Sequence, residues 1–86
     1  MTYKMIIIGD HAGSRLRQRG FTKGDVRWLL AKGIREPGRT RGGEFRWTKR
    51  GIIGTREARV VYIEDAHRIE LVTVEWVGDP PEGGKA

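Results

Sequence analysis

Residues with phosphate chemistry recur at helical spacing early in the chain. His11, Arg15 and Arg19 are separated by four residues each. On a helix they form one stripe spanning about 80°. An imidazole beside two guanidinium groups suits work on a phosphodiester. The imidazole can carry a proton near neutral pH, and the guanidinium groups can hold phosphate oxygens and stabilise developing charge. The same stripe is also what an exposed polar helix face ordinarily shows. A second set of arginines, Arg39, Arg41, Arg46 and Arg50, follows in and after a glycine-rich stretch and extends a candidate phosphate path. Tyr62 is a further candidate, as an acid or hydrogen-bond donor if it faces the same groove. Trp47 or Tyr62 could stack a nucleobase. His67 falls in a polar turn and reads as solvated.

The charge pattern agrees with an anionic ligand. Seventeen Lys and Arg oppose eleven Asp and Glu, a net charge of +6. Residues 1–50 hold 13 basic and 4 acidic side chains, hence +9; residues 51–86 hold 4 and 7, hence −3. Arginine supplies 12 of the 17 basic residues, and its planar fork binds phosphate in a bidentate way that lysine does not. A basic half on so small a domain points to a polyanion, most often nucleic acid. The chain lacks Asn and has a single Gln, a composition that fits a thermophile.

Other classes are disfavoured. Cysteine is absent, which removes disulfide frameworks and thiolate metal sites, and two histidines alone argue against structural zinc. No cofactor is expected, because no phosphate-binding loop, Ser-His-Asp spacing or paired-carboxylate pattern stands out. The longest aliphatic run, Met5–Ile8, is far below the roughly 18 residues of a membrane span. No cleavable leader is expected, and the location expected is cytoplasmic.

The elements that must position these residues follow from periodicity and punctuation. Lys4–Ile8 reads as a strand. A helix over 11–19 follows, with Asp10 as its cap and Gly20 as its end. Thr22 and Asp25 form a capping-box pair that starts a second helix, whose Val26, Leu29 and Leu30 face the core and which stops at Gly33. Residues 36–43 contain Pro37, Gly38, Gly42 and Gly43 and read as a flexible basic loop. Strands are expected at 44–48, with a possible extension or bulge over 51–54, then at 58–63 and 69–77. On the first of these Phe45 and Trp47 share one face; Glu44, Arg46 and Thr48 share the other. Trp28 and Trp76 are expected in the core. The order is β-α-α-β-β-β: a two-layer α+β domain over residues 1–81, with an antiparallel sheet covered on one face by two helices, and a frayed tail over 82–86.

The segment His11-Ala12-x-x-Arg15-x-x-x-Arg19-Gly20-Phe21-Thr22-x-x-Asp25-Val26 resembles the opening signature of an uncharacterised bacterial family of domains of unknown function. Arg59–Ile63 and Leu71–Val74 resemble that family's later strands, so the likeness runs over about residues 5–77. The family is in turn similar to the RelE-like toxins, including the BrnT branch, whose helix junction is similar to Arg19–Thr22. The resemblance implies a RelE-like fold and a metal-independent ribonuclease held by an acidic antitoxin. His11, Arg15 and Arg19 are the matching positions, with Thr73 a weaker one.

Three readings stand side by side. The first is a RelE-like ribonuclease in which His11 is general base or acid and Arg15, Arg19 and Arg46 hold the scissile phosphate. The second is a non-catalytic RNA- or DNA-binding module. The third is a protein-interaction domain whose basic face meets an acidic antitoxin-like partner or a second copy, as a homodimer.

Overall fold

The computed structural model describes residues 4–78. The expected boundary at Pro81 and the tail over 82–86 lie outside these residues. Seven elements follow in order: β1 (Met5–Ile7), α1 (Asp10–Gln18), α2 (Lys23–Lys32), β2 (Ile34–Arg41), β3 (Glu44–Ile53), β4 (Arg56–Glu64) and β5 (Arg68–Trp76). The class is α+β, as the periodicity implies. The sheet differs from expectation in two ways. It has five strands, in the order β1-β5-β4-β3-β2, and it is mixed, because β1 runs parallel to β5 while every other pair is antiparallel. The extra strand is β2, which occupies the segment expected to be a loop. Pro37 and Gly38 do not break it, because it is an edge strand. Both fall within a bulge between Glu36 and Arg39, which absorbs the irregularity.

Both helices lie on one face. α1 ends in a Schellman turn: Phe21 N donates to Leu16 O at 2.9 Å and Gly20 N to Arg17 O at 3.2 Å, with Gly20 at φ +77°. The turn delivers Phe21 to the core, where its ring stacks on Trp76 at 4.2 Å. Asp10 is not the cap of α1; Gly9 holds that position, with no side-chain hydrogen bond. α2 begins in the expected capping box, Thr22 N donating to Asp25 Oδ2 at 2.9 Å and Asp25 N to Thr22 Oγ1 at 3.0 Å. Ala12 and Leu16 of α1 and Val26, Leu29 and Leu30 of α2 meet Ala58, Val60, Tyr62, Leu71 and Val74 of the sheet to form the core. Trp76 packs against it, but Trp28 lies over Gly51 at the rim and is half-exposed rather than central. α2 closes tightly on β3: a Cβ at Gly33 would come within 2.4 Å of Leu29 O and 3.2 Å of Arg50 O.

Register leaves one end of the sheet thin. The β3–β4 ladder stops at Trp47 and Tyr62, whereas β2 and β3 continue through Arg39–Arg46, Thr40–Phe45 and Arg41–Glu44. These pairs form a two-stranded ribbon projecting beyond β4. Gly42 and Gly43 close it, both at positive φ as a tight two-residue turn requires.

The glycines of α2 supply a stability test. Gly33→Ala forces a methyl onto backbone that cannot yield and should cost about 1–3 kcal/mol. Gly24→Ala, inside the first turn with only ordinary contact to Thr22, should instead gain about 0.5–1 kcal/mol. Urea midpoints of the two variants should therefore move in opposite directions.

Candidate nucleic-acid interface

The helices leave the second face of the sheet open. Alternation along the strands sends Ala58, Val60 and Tyr62 to the core and Arg59 and Val61 to this face. The face is concave and encloses a groove of about 780 Å³. β2 supplies Glu36, Arg39 and Arg41; β3 supplies Arg46 and Thr48; β4 supplies Arg59 and Val61; β5 supplies Val72, Thr73 and Glu75.

Two cross-strand arginine pairs stand on this face, and they differ in one respect. Arg50 lies opposite Arg59. Glu36 bridges them, with Arg50 Nη2 at 2.8 Å and Arg59 Nε at 3.2 Å. Glu57 approaches Arg50 at 3.5 Å and Glu75 approaches Arg59 at 3.9 Å. Arg39 lies opposite Arg46 in the same way, but among the described residues neither has an acidic partner. Arg41 faces Glu44 across the ribbon tip without forming an ion pair. Like charges directly opposed across a ladder are destabilising. Glu36 relieves that repulsion in the first pair; an anion from solution or a ligand would relieve it in the second.

The first-helix stripe borders this groove and does not line it. Arg19 Nη1 donates to Val74 O at 2.8 Å and to Thr73 Oγ1 at 3.3 Å, while its own carbonyl accepts from Trp76 Nε1 at 2.7 Å. β1 pairs only with Arg68–Glu70, so these bonds occupy the stretch of β5 that β1 does not reach. Arg19 is thus a clamp between helix and sheet, and its expected role as a free phosphate ligand is corrected on that ground. Arg15 is half-buried and His11 exposed, each one step of about 40° further round α1 from Arg19. Thr73 lines the groove and contacts Arg19, so the C-terminal end of α1 adjoins the β5 wall.

Two other expectations change. Tyr62 is 1% exposed and faces the helices, away from the groove. Its hydroxyl has no hydrogen-bond partner. Burial pushes its pKa up, and the Arg35 guanidinium offsets part of that. It neither donates to a phosphate nor stacks a base. Arg50, engaged by Glu36 and Glu57, is not a free ligand either.

Several site residues escaped the sequence reading. Arg59 and Glu36 are central to the open face, yet only strand pairing shows that Glu36 neutralises both Arg50 and Arg59. The alternation Ala58-Arg59-Val60-Val61-Tyr62 did signal an arginine opposite the core. On the helix side, Arg35 lies over the Trp47 ring at 4.4 Å and reaches Glu64 at 3.6 Å. Lys4 also pairs with Glu64, at 2.8 Å. Lys49 donates to Leu30 O at the end of α2, and burial, followed by Arg35, lowers its pKa while Glu64 raises it. Asp65 accepts from the backbone N–H groups of His67 and Arg68 in the β4–β5 turn, which holds its carboxyl below the usual range. Among the described residues no three His, Asp or Glu side chains gather as metal ligands, and no helix is long and apolar enough to cross a membrane.

No family model, curated protein or solved structure matches this chain.

Tyr62→Phe separates a packing role from a chemical one. It should leave nucleic-acid binding unchanged and shift stability by less than about 1 kcal/mol, because the deleted hydroxyl is buried with only the Arg35 guanidinium close to it. It should also flatten the loss of stability at alkaline pH. The wild-type phenol ionises near 10 when unfolded and above that when folded. Its contribution is therefore complete below 10 and declines as pH rises through the folded value. Lys49 titrates with the opposite sign but is common to both chains, so the difference in urea midpoint between pH 8 and 11 reports the phenol.

Proposed function

We propose that this protein binds single-stranded nucleic acid, RNA foremost, across the open face of its sheet, with phosphates held between Arg39, Arg46 and Arg41. The observation that carries the reading is the contrast between the two opposed arginine pairs: one is clasped by Glu36, and the other has no carboxylate partner among the described residues. The groove's Thr48, Val61 and Val72 offer a floor of low charge beneath those guanidinium groups. The reading carries with it a RelE-like architecture and a cytoplasmic site of action.

A second reading, metal-independent RNA cleavage, draws on the contact of Arg19, the last residue of the α1 stripe, with Thr73 of the β5 wall. In it His11 removes the 2′-hydroxyl proton, the 2′-oxygen attacks phosphorus, and the 5′-oxygen departs, taking a proton from solvent water. A 2′,3′-cyclic phosphate and a 5′-hydroxyl remain. Arg15 would hold the phosphate oxygens, and Arg19 would position the helix.

Binding and cleavage of labelled single-stranded RNA in EDTA test both. Affinity should fall with salt at a slope of about −0.7 per phosphate contact. The triple variant Arg39→Ala/Arg41→Ala/Arg46→Ala should reduce the magnitude of that slope by about 2 while remaining folded. A slope unchanged in the triple variant would move the ligand off this face. Cleavage that disappears in His11→Ala, with binding retained, would establish the second reading; equal cleavage in both proteins would remove His11 from the chemistry.

A further inference from the structure

The reverse face of the β2–β3 ribbon carries a different chemistry from its arginine face. Phe45 points to the helix side, opposite in direction to Arg46, but lies beyond the last β3–β4 pair. It is 42% exposed. A single exposed phenylalanine is ordinary on a protein surface. This one is held in place. Its ring lies against the backbone of Gly38, where an added Cβ would come within 2.7 Å of Cζ. Trp47 meets it edge-on with centroids 4.7 Å apart, and Arg35 covers Trp47 in turn at 4.4 Å. The other exposed large hydrophobics lie elsewhere: Met5 at the β1 edge, Trp28 over Gly51, and Ile34 and Ile52 towards the far end of β3. Phe45 alone among them stands within a ribbon that also bears Arg39, Arg41 and Arg46.

We propose that Phe45 is a stacking platform for an unpaired nucleobase, so that one nucleic-acid strand engages both faces of the ribbon. Phosphates lie on the arginine side, and a base folds over onto the ring. This inference rests on the proposed function and adds the class of ligand it selects: unpaired bases, not duplex. Three features carry it. Charge complementarity puts a polyanion on the ribbon. The Gly42–Gly43 tip presents no side chain to obstruct a strand passing from one face to the other, with nothing near either Cβ position. The preset ring spends little conformational freedom when a base settles on it, which is what makes stacking effective in single-strand binding.

The test uses the full chain and three probes: a dye-labelled oligouridylate, an RNA duplex of the same length, and inorganic polyphosphate as a competitor without bases. Phe45→Leu keeps the apolar bulk and removes the aromatic face; Phe45→Trp keeps it. Phe45→Leu should weaken oligouridylate binding by roughly tenfold, the effect of losing one stacked base. It should leave the salt slope, the duplex affinity and the polyphosphate competition of the wild type unchanged. Phe45→Trp should restore tight oligouridylate binding. Wild-type oligouridylate affinity in Phe45→Leu would overturn the stacking role while leaving the arginine surface intact. Equal losses for oligouridylate and polyphosphate would also overturn it, by showing that Phe45 only braces the ribbon. Absence of wild-type binding to all three probes would instead overturn the proposed function itself.

Discussion

Two helices of nine and ten residues can cover only one face of a five-stranded sheet. That limit of area governs the molecule. The small apolar inventory is spent on a single interface, where the residues from Ala12 to Leu30 meet the inward side chains of β4 and β5. The opposite face has to be compatible with water, and here it is made so by arginine and glutamate. A surface of this kind is also a surface for a charged ligand. The functional reading therefore follows from a shortage of helices as much as from any motif.

The attachment of the helix layer depends on the C-terminal end of α1. The Schellman turn at Gly20 sends Phe21 under Trp76; beside the short β1, the Arg19 side chain donates to Val74 O and Trp76 Nε1 donates to Arg19 O. Without that closure, the second half of β5 would present an open edge for pairing with another chain. The arginine that helical spacing suggested as a phosphate ligand is thereby a component of the fold. Its neighbour across the edge, Thr73, opens onto the groove, so a structural bond stands at the margin of the candidate site.

On the open face, electrostatics sorts chemically identical residues. Arg50, Arg59, Arg39 and Arg46 are all strand arginines in opposed pairs. Glu36 lies within reach of the first pair because the bulge in β2 falls just beyond it, and the ribbon carries the second pair past β4 and away from Glu57 and Glu75, leaving Glu44 at the tip without an ion pair to it. Ion pairs this exposed add little to stability individually. Their effect is on which guanidinium groups remain available.

Local signals in the sequence determined much of the architecture: the capping box at Thr22 and Asp25, the glycine stop after α1, the apolar spacing of α2, the alternation of β4, and the presence of two helices before a run of strands. Each of these depends on residues close in the chain. Composition likewise determined that the amino-terminal half would be basic and arginine-rich. The segment at 36–43 was illegible because proline and glycine ordinarily break strands, and only an edge position with a bulge tolerates them. The parallel β1–β5 pair was illegible because it joins segments some sixty residues apart. The site divided along the same line. That arginines would matter could be read from their number and type. Which of them are neutralised by Glu36, which one clamps β5, and that Tyr62 faces the core while Phe45 stays open, depended on register and on which face the helices cover. Those are relations across the sheet, and pairing distant strands is what creates them.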